Sequence, residues 1–333
     1  MGQPGKPRDG SMGVWPRKRA RRSFARIRHW APQKDVKPLG FAGYKVGMTH
    51  VMVIDNKSTS QTKGQDIFMP VTVIECPNLK VFGINAYHHT PQGFSLSSTI
   101  LHSQNDKHLA RKICIPKKFN NKIEDLQNPS DIRLLVHTQP VKTSIGKKKP
   151  EIFELPLGGK DVTAKIEYAK NILGKDIYVK DIFCAGNQID IHAVTKGKGL
   201  QGPVRRFGIS LKQHKSEKGV RAPGSLGGWR AQGHTMYRVA HAGQMGYHQR
   251  VDFNKLILQL NDKPEEINQK GGFVSYGNVQ NPYLLVKGSI PGSKKRLIRF
   301  THAIRPIMNM PKEAPLITMI QKETNQGKAR NPE

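Results

Sequence analysis

Leu39-Gly-Phe-Ala-Gly-Tyr-Lys-Val46, followed closely by residues 49–55, by Pro70-Val-Thr-Val-Ile-Glu-Cys76 and by residues 81–87, decides the fold class. These runs are short and rich in β-branched and aromatic side chains, which suit a pleated, half-buried surface, and Gly, Pro and Asn punctuate them. They predict a compact β domain. The same alternation returns at Gln188-Ile-Asp-Ile-His-Ala-Val194, at Lys255-Leu-Ile-Leu-Gln-Leu260, and over residues 272–279 and 283–290. In between, residues 161–173 place Val162, Ile166, Ala169 and Leu173 on one helical face, with Gly174 available as the C-terminal cap. The chain therefore reads as mainly β: a first part over 39–89, an α+β insertion over 90–186, one further strand over 187–195, and a remainder over 251–318.

Three segments fall outside this domain. Residues 1–38 hold eleven Lys/Arg against Asp9 and Asp35, including the run Trp15-Pro-Arg-Lys-Arg-Ala-Arg-Arg22. Such a segment buries too little apolar area to offset its ordering entropy, so it is expected to be an extended basic arm that orders on a partner. Residues 196–250 hold eleven Lys/Arg, eleven Gly and a single acid, Glu217. A connection that long is expected to be functional, and Trp229, Tyr237 and Tyr247 among the charges suit stacking on unpaired bases. The tail over 319–333 is polar and expected to be loose.

The whole chain carries 55 Lys plus Arg against 24 Asp plus Glu, a formal charge of +31, and only 36% of its residues are apolar. That balance calls for a polyanion, nucleic acid first. A membrane is disfavoured, because no run of about 18 apolar residues occurs and the basic stretches lack an apolar face. No signal-peptide pattern opens the sequence, and Cys76, Cys114 and Cys184 read as reduced, core-packing thiols, which together predict a cytoplasmic protein.

Catalytic motifs fail on inspection. Gly197-Lys-Gly-Leu-Gln-Gly202 spells a dinucleotide fingerprint, but it runs into Pro203-Val-Arg-Arg-Phe-Gly208 rather than an apolar helix. Gly158-Gly-Lys-Asp161 lacks both the upstream glycine and the Ser/Thr of a P-loop. The thirteen histidines show no metal-ligand spacing, and no nucleophile elbow or split carboxylate pair is present. No enzyme activity, cofactor or metal is expected.

Several stretches together resemble the archaeal and eukaryotic branch of the large-subunit ribosomal protein three family: Trp15-Pro-Arg-Lys-Arg-Ala20, Gly40-Phe-Ala-Gly-Tyr-Lys-Val-Gly-Met-Thr-His50, Val194-Thr-Lys-Gly-Lys-Gly-Leu-Gln-Gly-Pro-Val204, Ala242-Gly-Gln-Met-Gly-Tyr-His-Gln-Arg250 and Val286-Lys-Gly-Ser-Ile-Pro-Gly292. The resemblance implies a translation-protein-type β-barrel with an extended basic N-terminal arm and a long central loop. It further implies a structural constituent of the large subunit that binds the ribosomal RNA near its 3′ end and helps nucleate assembly. The loop would reach toward the peptidyl-transferase centre, with Trp229 at its tip and Arg221 nearby. Neighbouring large-subunit proteins, those of the fourteen and twenty-four families, are implied partners.

The candidate RNA contacts are Arg17, Lys18, Arg19, Arg21, Arg22 and Arg26 in the arm, and Lys45 in the first strand. In the loop they are Lys196, Lys198, Arg205, Arg206, His214, Lys215, Lys218, Arg221, Trp229, Arg230, Tyr237, Arg238, Gln244, Tyr247, His248 and Arg250, with Lys294 and Lys295 beyond it. Glu217 stands where many eukaryotic relatives have a histidine, and residues 230–237 depart from the usual family wording. The rival reading is a free nucleic-acid-binding protein, an RNA chaperone or a chromatin component, which shares the charge without a preference for ribosomal RNA.

Overall fold

The structure is a computed structural model, which describes residues 7–103, 106–119, 121, 129–226, 233, 235–311 and 313–323. In chain order its elements are β1 (Gly40–Ile54), β2 (Asp66–Glu75), β3 (Leu79–Thr90), β4 (Gly93–Leu101), β5 (Asp131–His137), β6 (Ile152–Pro156), α1 (Val162–Ile172), β7 (Asp176–Ile177), β8 (Gln188–Val194), β9 (Leu200–Gln201), α2 (Pro203–Phe207), β10 (Gly243–Gln244), β11 (Gln249–Asn261), β12 (Tyr283–Lys287), β13 (Leu297–His302) and β14 (Ile317–Ile320). The chain divides into two compact units. The smaller joins Met1–Ser23 to Val194–Arg250, and the larger joins Phe24–Ala193 to Val251–Glu333.

The larger unit is mainly β. Strand β1 is 15 residues long, and it pairs with β2 on one side while β13 and then β14 take its other side. Because β1 meets β13, the order β1-β2-β12-β11-β8-β13 returns to its start and closes a six-stranded barrel, with β14 as an extra strand at its rim. Closure removes sheet edges, and the register slip between Lys45 and Gly47 gives β1 the bend that closure needs. Alternation does the sorting: Val51, Val53, Val71 and Val73 face inward and are buried, while Met48, His50 and Phe68 between them face solvent.

A second sheet runs β4-β3-β5-β6, with β7 on the other end of β3. Residues 81–87, read with the first β run, thus belong to this sheet. Helix α1 buries Ala169 and packs Val162, Ile166, Ile172 and Leu173 against the core, as the sequence pattern predicts, and Lys165 Nζ reaches Asp131 Oδ1 of β5 at 3.2 Å. Gly174 takes φ +81 just past the helix, and a Cβ there would come within 2.7 Å of His102 Nε2.

Buried polar groups tie these elements. Glu75 is fully buried; Oε1 accepts from the backbone N–H groups of Gln280 (2.9 Å) and Asn281 (3.0 Å) and from Asn281 Nδ2 (2.7 Å), while Oε2 accepts from the Tyr276 hydroxyl. The Tyr44 hydroxyl lies 2.9 Å from Glu151 Oε2 and 3.0 Å from Thr138 Oγ1, and burial pushes its pKa up. Arg299 on β13 is buried and forms no salt bridge among the described residues, with the Glu154 carboxylate the one acid that acts on it from a distance. It donates to the carbonyls of Ala25 (3.3 Å) and Glu154 (3.0 Å) and lies over the Phe153 ring at 4.3 Å, and burial pushes its pKa down to about 9, so it is charged at neutral pH. This roots residues 24–30 of the arm on the larger unit.

Four expectations are corrected. Residues 272–279 form a turn with one bridge, Phe273 to Gly277, because Gly272, Ser275 and Gly277 all take positive φ and break the pleat. The tail does not begin at 319, since β14 pairs with β1 through residue 320. Residues 7–23 of the arm, expected to order on a partner, already pack within the smaller unit. Of the cysteines only Cys76 packs in the core, whereas Cys114 and Cys184 are exposed, and all three are free thiols.

Two predictions follow from the buried polar groups. Removing the Glu75 carboxylate in Glu75→Ala strands four donors on three residues, the buried Tyr276 hydroxyl among them, so denaturant unfolding is expected to show a loss of about 3–5 kcal/mol; a loss near zero would contradict the network. His192, paired across strands with Arg299, is buried with neither ring nitrogen hydrogen-bonded, and burial, with Arg299 adding repulsion and Asp190 opposing, pushes its pKa from 6.5 down to about 4. Between those values the unfolded chain binds the extra proton, so stability is intact above pH 6.5 and falls toward pH 4, by roughly 3 kcal/mol. His192→Leu should flatten this part of the pH–stability curve, and parallel curves for the two proteins would refute the assignment.

Candidate nucleic-acid interface

The smaller unit concentrates charge. Its two segments contain seven and eleven Lys/Arg, with only Asp9 and Glu217 as acids. Its described residues have little regular structure to hold these cations: β9 pairs with β10 over two residues each, and α2 has five residues, closed by Gly208 at φ +76. Gly197–Gly202 therefore leads into this short hairpin and turn, not into a parallel βαβ unit, which removes the framework a dinucleotide site requires.

Aromatic faces supply the missing core. Trp15 of the arm meets Phe207 of α2 at 6.0 Å and Tyr237 of the loop at 5.8 Å, the latter edge-on. Guanidinium groups lie over these rings: Arg17 at 4.3 Å and Arg206 at 5.1 Å from Phe207, and Arg8 at 5.5 Å from Trp15. Trp15 and Phe207 were not among the residues singled out from sequence; the signal available was the tryptophan opening the arm's basic run.

Backbone carbonyls do the rest. Arg17 Nη1 donates to the Arg206 carbonyl at 2.8 Å, and Arg206 Nη2 donates back to the Arg17 carbonyl at 3.2 Å. Arg206 also donates to the carbonyls of Gln244 (3.0 Å) and His241 (2.9 Å), and Arg250 Nη2 reaches that of Val14 at 3.4 Å. The His248 ring is buried against the arm, with Nδ1 2.9 Å from the Lys18 carbonyl, and the Ala20 N–H donates to the Tyr247 carbonyl at 2.8 Å. Gly246, at φ +69, lets the chain turn here: a Cβ would sit 2.0 Å from the Lys196 carbonyl oxygen.

This arrangement crowds like charges. The pKa of Arg17 is lowered by burial and then by Arg8, and those of Arg206 and Arg250 by burial and then by Arg17. His248 is lowered by burial, opposed by the Lys18 carbonyl, and lowered further by Arg250, Arg206 and Arg17. All three arginines keep their charge at neutral pH. Their mutual repulsion is relieved by an anion placed against the cluster, and phosphate oxygens match the guanidinium fork.

The sequence-derived site residues sort into three groups. Lys18, Arg19, Arg21, Arg22, Lys196, Lys198, Arg205, His214, Lys215, Lys218, Arg221, Tyr237 and Arg238 are exposed in the smaller unit, while Arg17, Arg206, Gln244, Tyr247, His248 and Arg250 are partly or fully buried and knit it together. Arg26, Lys45, Lys294 and Lys295 belong to the larger unit. There Lys45 spends its ammonium on the carbonyls of Ile290 (2.6 Å) and Gly292 (3.2 Å), and Lys294 donates to that of Val274 at 2.7 Å. Trp229 and Arg230 lie outside the described residues. Among the described residues no three His, Cys, Asp or Glu side chains stand close enough to hold a metal ion, and no helix is long and apolar enough to cross a membrane.

Comparison with known proteins converges on one family. Residues 1–327 match the family model described as Ribosomal protein L3. The chain is 45% identical over 331 residues to the large ribosomal subunit protein uL3 of Methanobrevibacter smithii, covering 96% of this chain and 98% of that protein. It is 44% identical to that of Methanococcus vannielii, covering 97% and 98%, and 44% identical to that of Nanoarchaeum equitans, covering 90% and 92%. Relatives at this identity along nearly the whole chain bear out the resemblance carried by the motifs, in a family of structural ribosomal proteins rather than enzymes: this chain belongs to the ribosomal protein L3 family.

Proposed function

We propose that this chain is a structural constituent of the large ribosomal subunit in the cytoplasm, where it binds large-subunit RNA near its 3′ end and helps nucleate assembly. The observation that carries the reading is the smaller unit, in which Arg17, Arg206 and Arg250 crowd together while a further set of cations faces outward. Such a surface gains by displacing counterions from phosphates, and the exposed Tyr237 adds a face on which a base can stack. The loop extends toward the peptidyl-transferase centre with Trp229 at its tip, where the RNA performs the chemistry and the protein positions it. Neighbours of the fourteen and twenty-four families complete its surroundings.

Binding of the full-length chain to large-subunit RNA should weaken steeply with salt. If six to ten phosphates are contacted, log K falls with log salt by roughly 0.7 to 0.9 per phosphate. A shallow slope, or equal affinity for unrelated RNA in competition, would favour a free nucleic-acid-binding role instead. Arg206→Ala should cost more affinity than the exposed Arg205→Ala, because it removes a charge and also three carbonyl contacts, and it should expose residues 7–23 to protease; equal effects of the two variants would count against the cluster. Trp229→Ala should leave assembly largely intact and perturb tRNA accommodation, so unchanged elongation kinetics in reconstituted ribosomes would reject the tip role.

A further inference from the structure

Two loops of the insertion carry a concentration of charge that the smaller unit does not account for. Residues 106–118 and 140–149 hold nine Lys/Arg and one acid, Asp106. Both loops belong to the larger unit, and none of their cations is among the sequence-derived site residues. The first exposes Lys107, Arg111, Lys112, Lys117 and Lys118, and the second exposes Lys148 and Lys149. None of these seven forms an ion pair with a described residue. Elsewhere on the same unit cations are answered: Lys165 meets Asp131, Lys180 meets Asp262, Lys255 meets Asp252, and Lys45 is spent on carbonyls.

The two loops lie side by side. Asp106 and His108 line one cleft with Gln139, Pro140 and Lys142. Lys112 bears on Lys147: burial first and then Lys112 push the Lys147 pKa down to about 8, even with the Glu151 carboxylate against its ammonium. At most roughly 20 Å of chain separates Lys112 from Lys118, which keeps the first loop's cations on one stretch of surface. Both backbones are anchored. Leu109 is fully buried at the start of a single 3₁₀ turn, which the Lys112 N–H closes on the Leu109 carbonyl at 2.8 Å. Thr143 Oγ1 donates to the Pro140 carbonyl at 2.7 Å, and Asn281 Nδ2 donates to that of Lys142 at 2.7 Å. The carboxylates at hand are engaged. Asp106 Oδ1 accepts from the His108 N–H at 3.1 Å, Asp176 accepts from Asn78 and Gln139 and faces Lys142 at 3.9 Å, and buried Glu151 accepts from Tyr44 and Thr138. A polyanion laid on such a surface releases counterions without first having to order the backbone beneath it. The side chains decide which polyanion. The loops contain no Phe, Tyr or Trp on which an unpaired base could stack, unlike the smaller unit, so they suit the phosphates of a duplex. A protein interface would bury apolar area at its centre, and Val141 is the one large apolar side chain exposed here.

We infer that these two loops form a second RNA site, separate from the arm and central loop, which grips the phosphate backbone of an RNA helix without reading its sequence. The chain would then hold two RNA elements at once, each raising the effective concentration of the other. The inference rests on the proposed binding of large-subunit RNA. Cys114, an exposed thiol inside the first loop, provides the handle for its test. With Cys184→Ser removing the other exposed thiol, an iron–EDTA radical source tethered to Cys114 of the full-length chain is expected to cut naked large-subunit RNA on both strands of one helix. The same source on Ser11→Cys in the smaller unit, with Cys114→Ser, is expected to cut at a different place. Joint replacement of Lys112, Lys117, Lys118, Lys148 and Lys149 by Gln, all of them exposed, should lower affinity at least tenfold and flatten the slope of log K against log salt by roughly 0.9 per phosphate lost. Cuts from position 11 but none from Cys114, or unchanged affinity and slope in the Gln variant, would overturn the inference and leave the proposed function standing. So would cleavage of an acidic neighbouring protein in place of RNA when the labelled chain is assembled into large subunits. Failure of the parent chain to prefer large-subunit RNA over unrelated RNA would overturn both.

Discussion

Arg17 and Arg206 each donate to the other's backbone carbonyl, so the arm and the loop are held together by two cations rather than by a cation and an anion. The smaller unit depends on this exchange. An isolated segment with so few apolar residues would not repay its ordering entropy, and here Trp15, Phe207 and Tyr237 provide only a small aromatic centre. Carbonyl oxygens, each with two lone pairs, accept what carboxylates would accept elsewhere. The guanidinium groups are thereby fixed in place without being neutralised, and a polyanion still finds them charged.

The larger unit solves a different problem. Its β1 strand is long enough to pair with three others, and that one strand both closes the barrel and carries β14. The interior is apolar, and two of the charged groups it buries, Glu75 and Arg299, are held by specific donors or carbonyls from distant parts of the chain, whereas the His192 ring is left unpaired. Such contacts fix how the segments between strands are placed, which apolar burial alone does not specify. The division of labour is visible in charge: less than a quarter of the residues hold about half of the net +31.

Sequence reasoning read these two halves unequally. Strand β8 falls on the residues whose alternation announced it, and α1 lies within one residue of its predicted bounds, because in both cases one face is apolar and the period is unbroken. Strand β13 escaped notice because Arg299 sits in its middle and is buried, which inverts the usual meaning of a charge. Residues 272–279 deceived in the opposite sense, with strand-like side chains on a backbone that glycines had turned. In the site, composition alone located the cationic segments, but it could not separate Arg206, which builds the unit, from Arg205, which faces solvent one residue away. Nor could it show that Lys45 is spent on carbonyls. Those distinctions depend on which carbonyls lie within reach, and that is settled only by tertiary structure.

Enclosure of the arm and loop by the RNA of the large subunit would keep the chain in place even where salt weakens its phosphate contacts. Sedimentation of a native cell extract through a high-salt sucrose gradient, with every fraction probed for this protein, measures that. Salt strips basic proteins that lie on RNA and spares those enclosed by it. Comigration with the large subunit is the predicted result; recovery of the protein at the top of the gradient would contradict it.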